Sequence, residues 1–244
     1  MSSTLVVVGP RLGVVLVVLT ALAAAVAAAG HLGHDRQIVV AAGRAAAQLA
    51  VVSLVIAAIV DSVALSGLFV LFMYTVAART SARRMTRAST GWWAAVPIAV
   101  STLPVLAGLL LAGVLPVTGL ALIPVAGILI GGAMMATSLA GRAALDELGS
   151  RRGEVEAALS LGFADRDAAL EICRPAANRA LIPALDQTRT VGLVALPGAF
   201  VGMLLAGAPP LAAGAVQLFV LLALLAVEAI AVVLITELVT RGRI

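Results

Sequence analysis

The chain has 244 residues, of which 62% are hydrophobic and 11% charged, with a formal net charge of +4. A soluble domain carries about a quarter charged residues, and no water-soluble fold of this length could hide so much apolar surface, so the solvent is a bilayer. All 16 basic residues are Arg, which rules out a Gly-Lys-Ser/Thr phosphate loop and a retinal Schiff base, so the chain hydrolyses no ATP by that route.

The length fits one membrane domain over residues 1–244. The basic residues lie in loops between apolar runs, as membrane topology requires, and form no nucleic-acid surface. The single Cys173 permits neither an internal disulfide nor a cysteine zinc cluster.

Apolar stretches occupy, in chain order, residues 5–29, 38–60, 63–78, 92–114, 118–140, 191–208 and 214–238. Most reach the ~20 residues that cross a hydrocarbon core. The third and sixth are short, so each is either little tilted or broken. In the first, Ala25-Val26-Ala27 looks like a signal-peptidase site. Arg11 is the only early positive charge, however, and the apolar run is longer than a secretory h-region, so a retained helix is expected. The pattern predicts an all-α integral membrane protein of about seven transmembrane helices.

Charge sets the orientation. Segment 79–90 holds Arg79, Arg83, Arg84 and Arg87 and no acid, which places it in the cytoplasm. Segment 141–190 and the C-terminal Arg241 and Arg243 fall on the same side after two further spans each. The N-terminus is then outside and the C-terminus cytoplasmic. The outer loops at 115–117 and 209–213 are short and uncharged, so the protein presents its chemistry to the cytoplasm.

Segment 141–190 is long enough for two or three helices. Residues 153–161 are good helix formers, and Gly162 can take the left-handed conformation that ends a helix. Asp165 is expected to cap a second helix over 166–174, and Pro175 to disfavour its continuation. The product is a helix–turn–helix standing off the membrane. Glu156-Ala157-Ala158, then Gly162, then Ile172-Cys173-Arg174-Pro175, resembles in spacing the EAA signature of ABC transporter permeases, with Arg174 where that signature has Leu. The resemblance implies that Glu156, Ala157, Ala158, Gly162, Ile172 and Pro175 couple the chain to an ATPase. An ordinary amphipathic connector is the plainer reading of the same helices.

Further runs narrow the resemblance. They are Gly43-Arg44-Ala45-Ala46-Ala47-Gln48-Leu49, Ile123-Pro124-Val125-Ala126-Gly127, Gly132-Ala133-Met134, Ala180-Leu181-Ile182-Pro183, and Thr190-Val191-Gly192-Leu193-Val194-Ala195-Leu196-Pro197-Gly198. From about residue 38 to the end the chain resembles the FetB family, permeases implicated in iron export, with plant relatives linked to aluminium tolerance. The resemblance implies two permease copies, a homodimer in the simplest case, and two separate ABC ATP-binding subunits. ATP and magnesium would bind those partners, and no cofactor would bind this chain. It also implies metal efflux, with iron the leading substrate.

Several residues are candidates for the transport pathway. Arg44 and Gln48 share one face of the second helix, where they either line the pathway or let Arg44 snorkel to the cytoplasmic surface. Glu228, deep in the last span, either holds a proton or cation or makes a structural hydrogen bond or a pair with Arg44. Met134, Met135 and Met203 offer thioethers, which prefer soft ions, or simply fill the core. His31, His34 and Asp35 form a solvated loop or a weak metal site. Pro124, Gly127, Gly131 and Gly132, and likewise Gly192, Pro197, Gly198 and Gly202, suit close helix packing or a hinge. Asp186 and Arg189 can pair with each other or with the 79–90 loop.

Other functions fit less of the chain. An import permease fed by an external binding protein shares the EAA signature and differs only in direction. A membrane-embedded enzyme would need paired Asp, a Ser–His pair or a metal site within the spans, and no such set is present. A seven-helix receptor matches the span count but not the minimal outer loops.

Overall fold

A computed structural model of the chain describes residues 9–86 and 88–244. Residues 5–8 of the first expected span, and Arg87, lie outside the described residues. The chain divides into two compact units, one ending at Ile59 and one from Val60 to Ile244.

The N-terminal unit is a pair of helices, α1 (Pro10–Ala29) and α2 (Asp35–Ile59). Pro10 suits the first turn, where its missing N–H costs nothing. Asp35 lies at the positive end of the α2 dipole. The pair buries almost none of its own surface: Ala27 alone is buried in α1 and no residue is in α2.

The second unit contains α3 (Val63–Met85), a 3-10 segment (Ser89–Ala94), α4 (Ala95–Leu111), α5 (Gly119–Ser150), α6 (Arg152–Ser160), α7 (Asp165–Asn178), α8 (Ile182–Thr190), α9 (Gly198–Leu205) and α10 (Pro210–Thr240). Among the described residues six helices are long and apolar enough to cross a membrane: α1, α2, α3, the 3-10 segment continued by α4, α5 and α10. The third span is therefore not short. Its helix runs 23 residues because the arginines that end the apolar run are themselves good helix formers.

The contacts show which way these helices run. A Cβ on Gly119 would collide with the Val60 carbonyl and Ser66, and one on Gly127 would lie 2.9 Å from Met73 Cε. Ser138 Oγ donates to Ser81 Oγ at 3.0 Å, and Gly141 abuts Met85. Numbers rise together along both chains, so α3 and α5 are parallel. Gly132 abuts Leu224 and Glu228, and Gly141 abuts Ile235, so α10 is parallel to them as well. Two parallel spans need a return crossing between them. Between α3 and α5 that crossing is α4, pinned by the Tyr74 hydroxyl donating to the Ala95 carbonyl at 3.0 Å. Between α5 and α10 only residues 151–209 can supply it.

Of the two alternatives for the short sixth span, 191–208, the structure shows the broken one. The return is made by α8, a non-helical stretch 191–197, and the eight-residue α9. Val191 is extended at ψ 134, Gly192 is left-handed at φ +80, and Pro197 disfavours a helical residue before it. The described residues thus hold six continuous helices long enough to cross and one broken segment.

The core lies where α3, α4, α5 and α10 meet. Ile98, Ala126, Leu129, Ala133 and Val227 are fully enclosed there. Buried polar side chains also point inward, among them Ser66, Ser81, Ser101, Thr137, Gln217 and Glu228, as expected where the alternative is hydrocarbon.

Candidate coupling hairpin and membrane pathway

α5 spans 32 residues, about 48 Å at 1.5 Å per residue, against a hydrocarbon core of about 30 Å. Its C-terminal turns therefore project beyond the bilayer on the arginine-rich side and carry α6 and α7 with them. α6 has no buried residue. At its end the Gly162 N–H donates to the Leu159 carbonyl at 2.9 Å and the Phe163 N–H to the Ala158 carbonyl at 3.2 Å. Gly162 takes φ +89, the left-handed helix-ending geometry expected of it.

Two local expectations are corrected. Asp165 does not cap α7: the N-cap is Ala164, and no side chain bonds there. Asp165 and Asp167 lie instead in the first turn, where their charge meets the helix dipole. Pro175 does not stop the helix, which continues to Asn178. Proline removes one N–H, but Ile172, Cys173, Ala176 and Ala177 on either side of it are buried, and that packing holds the helical path.

α7 ties the hairpin to the membrane body. The Cys173 thiol donates to the Ala144 carbonyl at 3.6 Å. Arg166 donates bidentately to Glu237, Nε to Oε1 at 2.7 Å and Nη2 to Oε2 at 2.8 Å, and Arg241 joins the same carboxylate at 2.6 Å. A fork-to-carboxylate pair adds geometric definition to charge. Burial pushes the Cys173 thiol up to about 11, with nearby Glu147 adding to it. Glu154 is held below the usual carboxylate range by its hydrogen bond from Arg151.

The six signature residues thus divide by position. Glu156, Ala157 and Gly162 are exposed at or near the tip, Ala158 is half-buried, Ile172 faces the body and Pro175 faces outward. Two residues that sequence reasoning passed over complete the tip: Leu161 is 81% exposed and Phe163 is 50% exposed. Large apolar residues on both sides of Gly162, in a charged segment, were the available signal.

Within the membrane, Glu228 is buried at 9% exposure and has no hydrogen-bond or ionic partner among the described residues. A Cβ on Gly132 would stand 2.8 Å from its Oε1, so glycine makes room for the carboxyl group between α5 and α10. Met134 is half-buried against the core cluster, and the exposed Met135 receives a contact from Arg84 Nη1 at 3.5 Å. Pro124 is exposed on α5. Of the small residues, Gly127 packs on α3, whereas nothing lies within 4 Å of a Cβ at Gly131, Gly198 or Gly202, so those three close no contact inside this chain. Asp186 and Arg189 pair with each other at 3.7 Å.

In the N-terminal unit, Arg44 and Gln48 lie one turn apart on α2, both exposed. His34 Nδ1 lies 2.5 Å from the Leu32 carbonyl, and His31 takes φ +54 in the same turn. Among the described residues no three His, Cys, Asp or Glu side chains come together to hold a metal.

The broken segment runs alongside α10. Ala180 and Leu181, before α8, pack with Ala231, Val232 and Ile235 of α10. The Phe200 N–H in α9 donates to Gln217 Oε1 at 3.2 Å. Those two levels of α10 are separated by about 20 Å at 1.5 Å per residue, and α8 together with residues 191–197 bridges the interval. The Thr190 carbonyl accepts from Val194 at 3.0 Å, and the Gly192 N–H donates to the Ala195 carbonyl at 2.9 Å. The carbonyls of Val191, Gly192, Leu193, Val194 and Leu196 meet no donor among the described residues. Leu193 and Val194 are 89% and 84% exposed.

Residues 12–243 match the profile of an uncharacterised protein family, UPF0014. The chain belongs to the UPF0014 family. Over 221 residues it is 36% identical to the UPF0014 membrane protein STAR2 of rice, covering 89% of this chain and 78% of that one. It is 34% identical over 158 residues to the protein ALUMINUM SENSITIVE 3 of Arabidopsis thaliana, covering 62% of this chain and 56% of that one. It is 30% identical over 206 residues to the probable iron export permease protein FetB of Escherichia coli, covering 83% of this chain and 80% of that one. No solved structure matches. This UPF0014 protein is a multi-pass, all-α membrane protein.

Proposed function

We propose that this UPF0014 protein is the membrane-spanning half of an ABC transporter that exports a metal ion, iron first among the candidates, driven by a separate ATP-binding subunit. The observation that carries the reading is the α6–Gly162–α7 hairpin. It stands beyond the bilayer on the arginine-rich side, with an apolar tip at Leu161 and Phe163 and a rigid root at Ile172, Cys173 and the Arg166–Glu237 pair. A knob that is apolar at its tip and clamped at its base can enter a groove on a soluble partner and transmit a push to α5 and α10. Similarity to the probable iron export permease supports the direction and the cargo.

On this reading two copies of the chain form the pathway, with ATP and magnesium held by the partner subunits. Non-helical backbone at membrane depth is tolerated only where protein covers it or water reaches it. Bare carbonyls in the 191–197 break suit a passing cation, as broken helices do in transporters. Glu228 supplies the buried carboxyl group of the same bundle.

The test is ATP-dependent movement of radioactive iron in membrane vesicles containing this chain and its ATP-binding subunit. Export predicts accumulation in inside-out vesicles and none in right-side-out ones. The reverse pattern would make the protein an import permease, and ATP-independent movement in both would remove the ABC assignment.

A further inference from the structure

A recess of about 790 Å³ opens between the arginine-rich end of α3 and the start of α4. It is lined by Arg79, Arg83, Thr86, Ser89 and Trp92, among smaller residues. Arg79 and Arg83 lie one turn apart on α3, both exposed, and neither makes an ion pair among the described residues. No acid is nearby in sequence to supply one, because the chain holds no Asp or Glu between Asp61 and Asp146. Trp92 stacks on Trp93 with ring centroids 4.6 Å apart, and the Arg243 guanidinium lies 5.8 Å from the centre of the Trp93 ring. A further cation thus stands behind the same wall.

The depth of the recess follows from the helices. Arg79 is about 25 Å along α3 from Ser62, at 1.5 Å per residue, which is close to one hydrocarbon thickness. Gly91 abuts Ala82 and Tyr74 bonds Ala95, so residues 91–95 run down beside α3 past the level of Arg79. Tryptophan pairs belong at the headgroup level. The recess therefore opens where phospholipid phosphates lie, on the leaflet that carries anionic lipid.

We propose that this recess binds the phosphate group of an anionic phospholipid. Arg79 and Arg83 hold the phosphate oxygens, the Ser89 and Thr86 hydroxyls lie at the same wall, and the apolar flank formed by Ala78, Ala82 and Trp92 takes the glycerol and upper acyl chain. A basic residue at a membrane surface contributes about 1 kcal/mol toward an anionic lipid, so two arginines separate anionic from zwitterionic lipid by more than tenfold. The bound lipid would brace α3 against α4 on the side where the coupling hairpin emerges. The site is independent of what the protein transports.

The experiment is lipid retention. The protein is reconstituted in nanodiscs of mixed phosphatidylglycerol and phosphatidylcholine, extracted in mild detergent, and its bound lipid counted by native mass spectrometry. The intact protein should keep phosphatidylglycerol in preference to phosphatidylcholine. Arg79→Gln/Arg83→Gln should lose that lipid by about tenfold or more, Arg79→Lys/Arg83→Lys should keep most of it, and Arg142→Gln should keep it all. Should the double Gln variant not fold, Arg83→Gln alone should show a partial loss. Full retention in the Gln variants would overturn the proposal. So would stripping of the lipid by inorganic phosphate, which would make the ligand free phosphate. So too would an unchanged lipid count with loss of a bound ATP-binding subunit, which would make the recess a protein contact.

Discussion

Cys173 illustrates how a buried residue reports on the root of the α6–α7 hairpin. Its thiol is enclosed between α7 and the Ala144 carbonyl of α5, and burial raises it to about 11. Only the thiolate reacts, and burial disfavours the thiolate, so the group stays protonated and inert at neutral pH. A maleimide reagent at pH 7.5 should leave Cys173 unmodified in the native protein and label it fully in denaturant. Rapid native labelling would mean that the hairpin root opens readily. Glycines make a second residue-scale case. Any side chain at Gly119 meets the Val60 backbone carbonyl, whereas Gly131 faces open space. Gly119→Ala should therefore lower stability by about 1–3 kcal/mol, while Gly131→Ala should be neutral or mildly stabilising within a helix. Thermal unfolding in detergent of the two variants side by side checks the contrast.

At the scale of elements, six membrane helices were legible because a continuous apolar helix satisfies its own backbone and needs only length and hydropathy to be recognised. The sixth crossing was legible only as a short run, either little tilted or broken, and the choice between the two was not. Val191, Leu193, Val194 and Leu196 look as apolar as any helix, and the break shows only through Gly192 and Pro197-Gly198, whose backbone meaning depends on context. The hairpin was legible around Gly162, since helix propensity and a left-handed turn are local properties. Its anchoring was not, because Arg166 and Glu237 are 71 residues apart and no periodicity links them. Likewise the cap assigned to Asp165 failed by one residue, the usual uncertainty of a helix boundary. The break makes its own prediction. In a Cys173→Ala background, Leu193→Cys should react with a membrane-impermeant thiol reagent, because under the proposed function water reaches the bare carbonyls there. Leu222→Cys, exposed on the continuous helix α10, should not react. Equal protection of both would place the 191–197 stretch against protein or lipid instead of the pathway.

For the whole molecule, the parallel run of α3, α5 and α10 gives the account its mechanical form. The hairpin is rooted on α5 through Cys173 and on α10 through Arg166 and Glu237, and these two helices enclose Glu228 beside Gly132. Under the proposed function, a push at Leu161 and Phe163 would reach α5 and α10 through the hairpin root. Gly198 and Gly202 of α9 are open, and under the proposed function a second copy would pack there. The account stands or falls on whether an ATP-binding subunit grips the tip. The direct measurement is affinity co-purification of that subunit with the intact chain and with Leu161→Asp/Phe163→Asp, alongside ATPase activity in each preparation. The account predicts a stoichiometric complex for the intact chain, and loss of both the partner and its permease-dependent ATP hydrolysis in the variant, with helicity and membrane insertion unchanged. A variant that retains the partner and its full activity would contradict it.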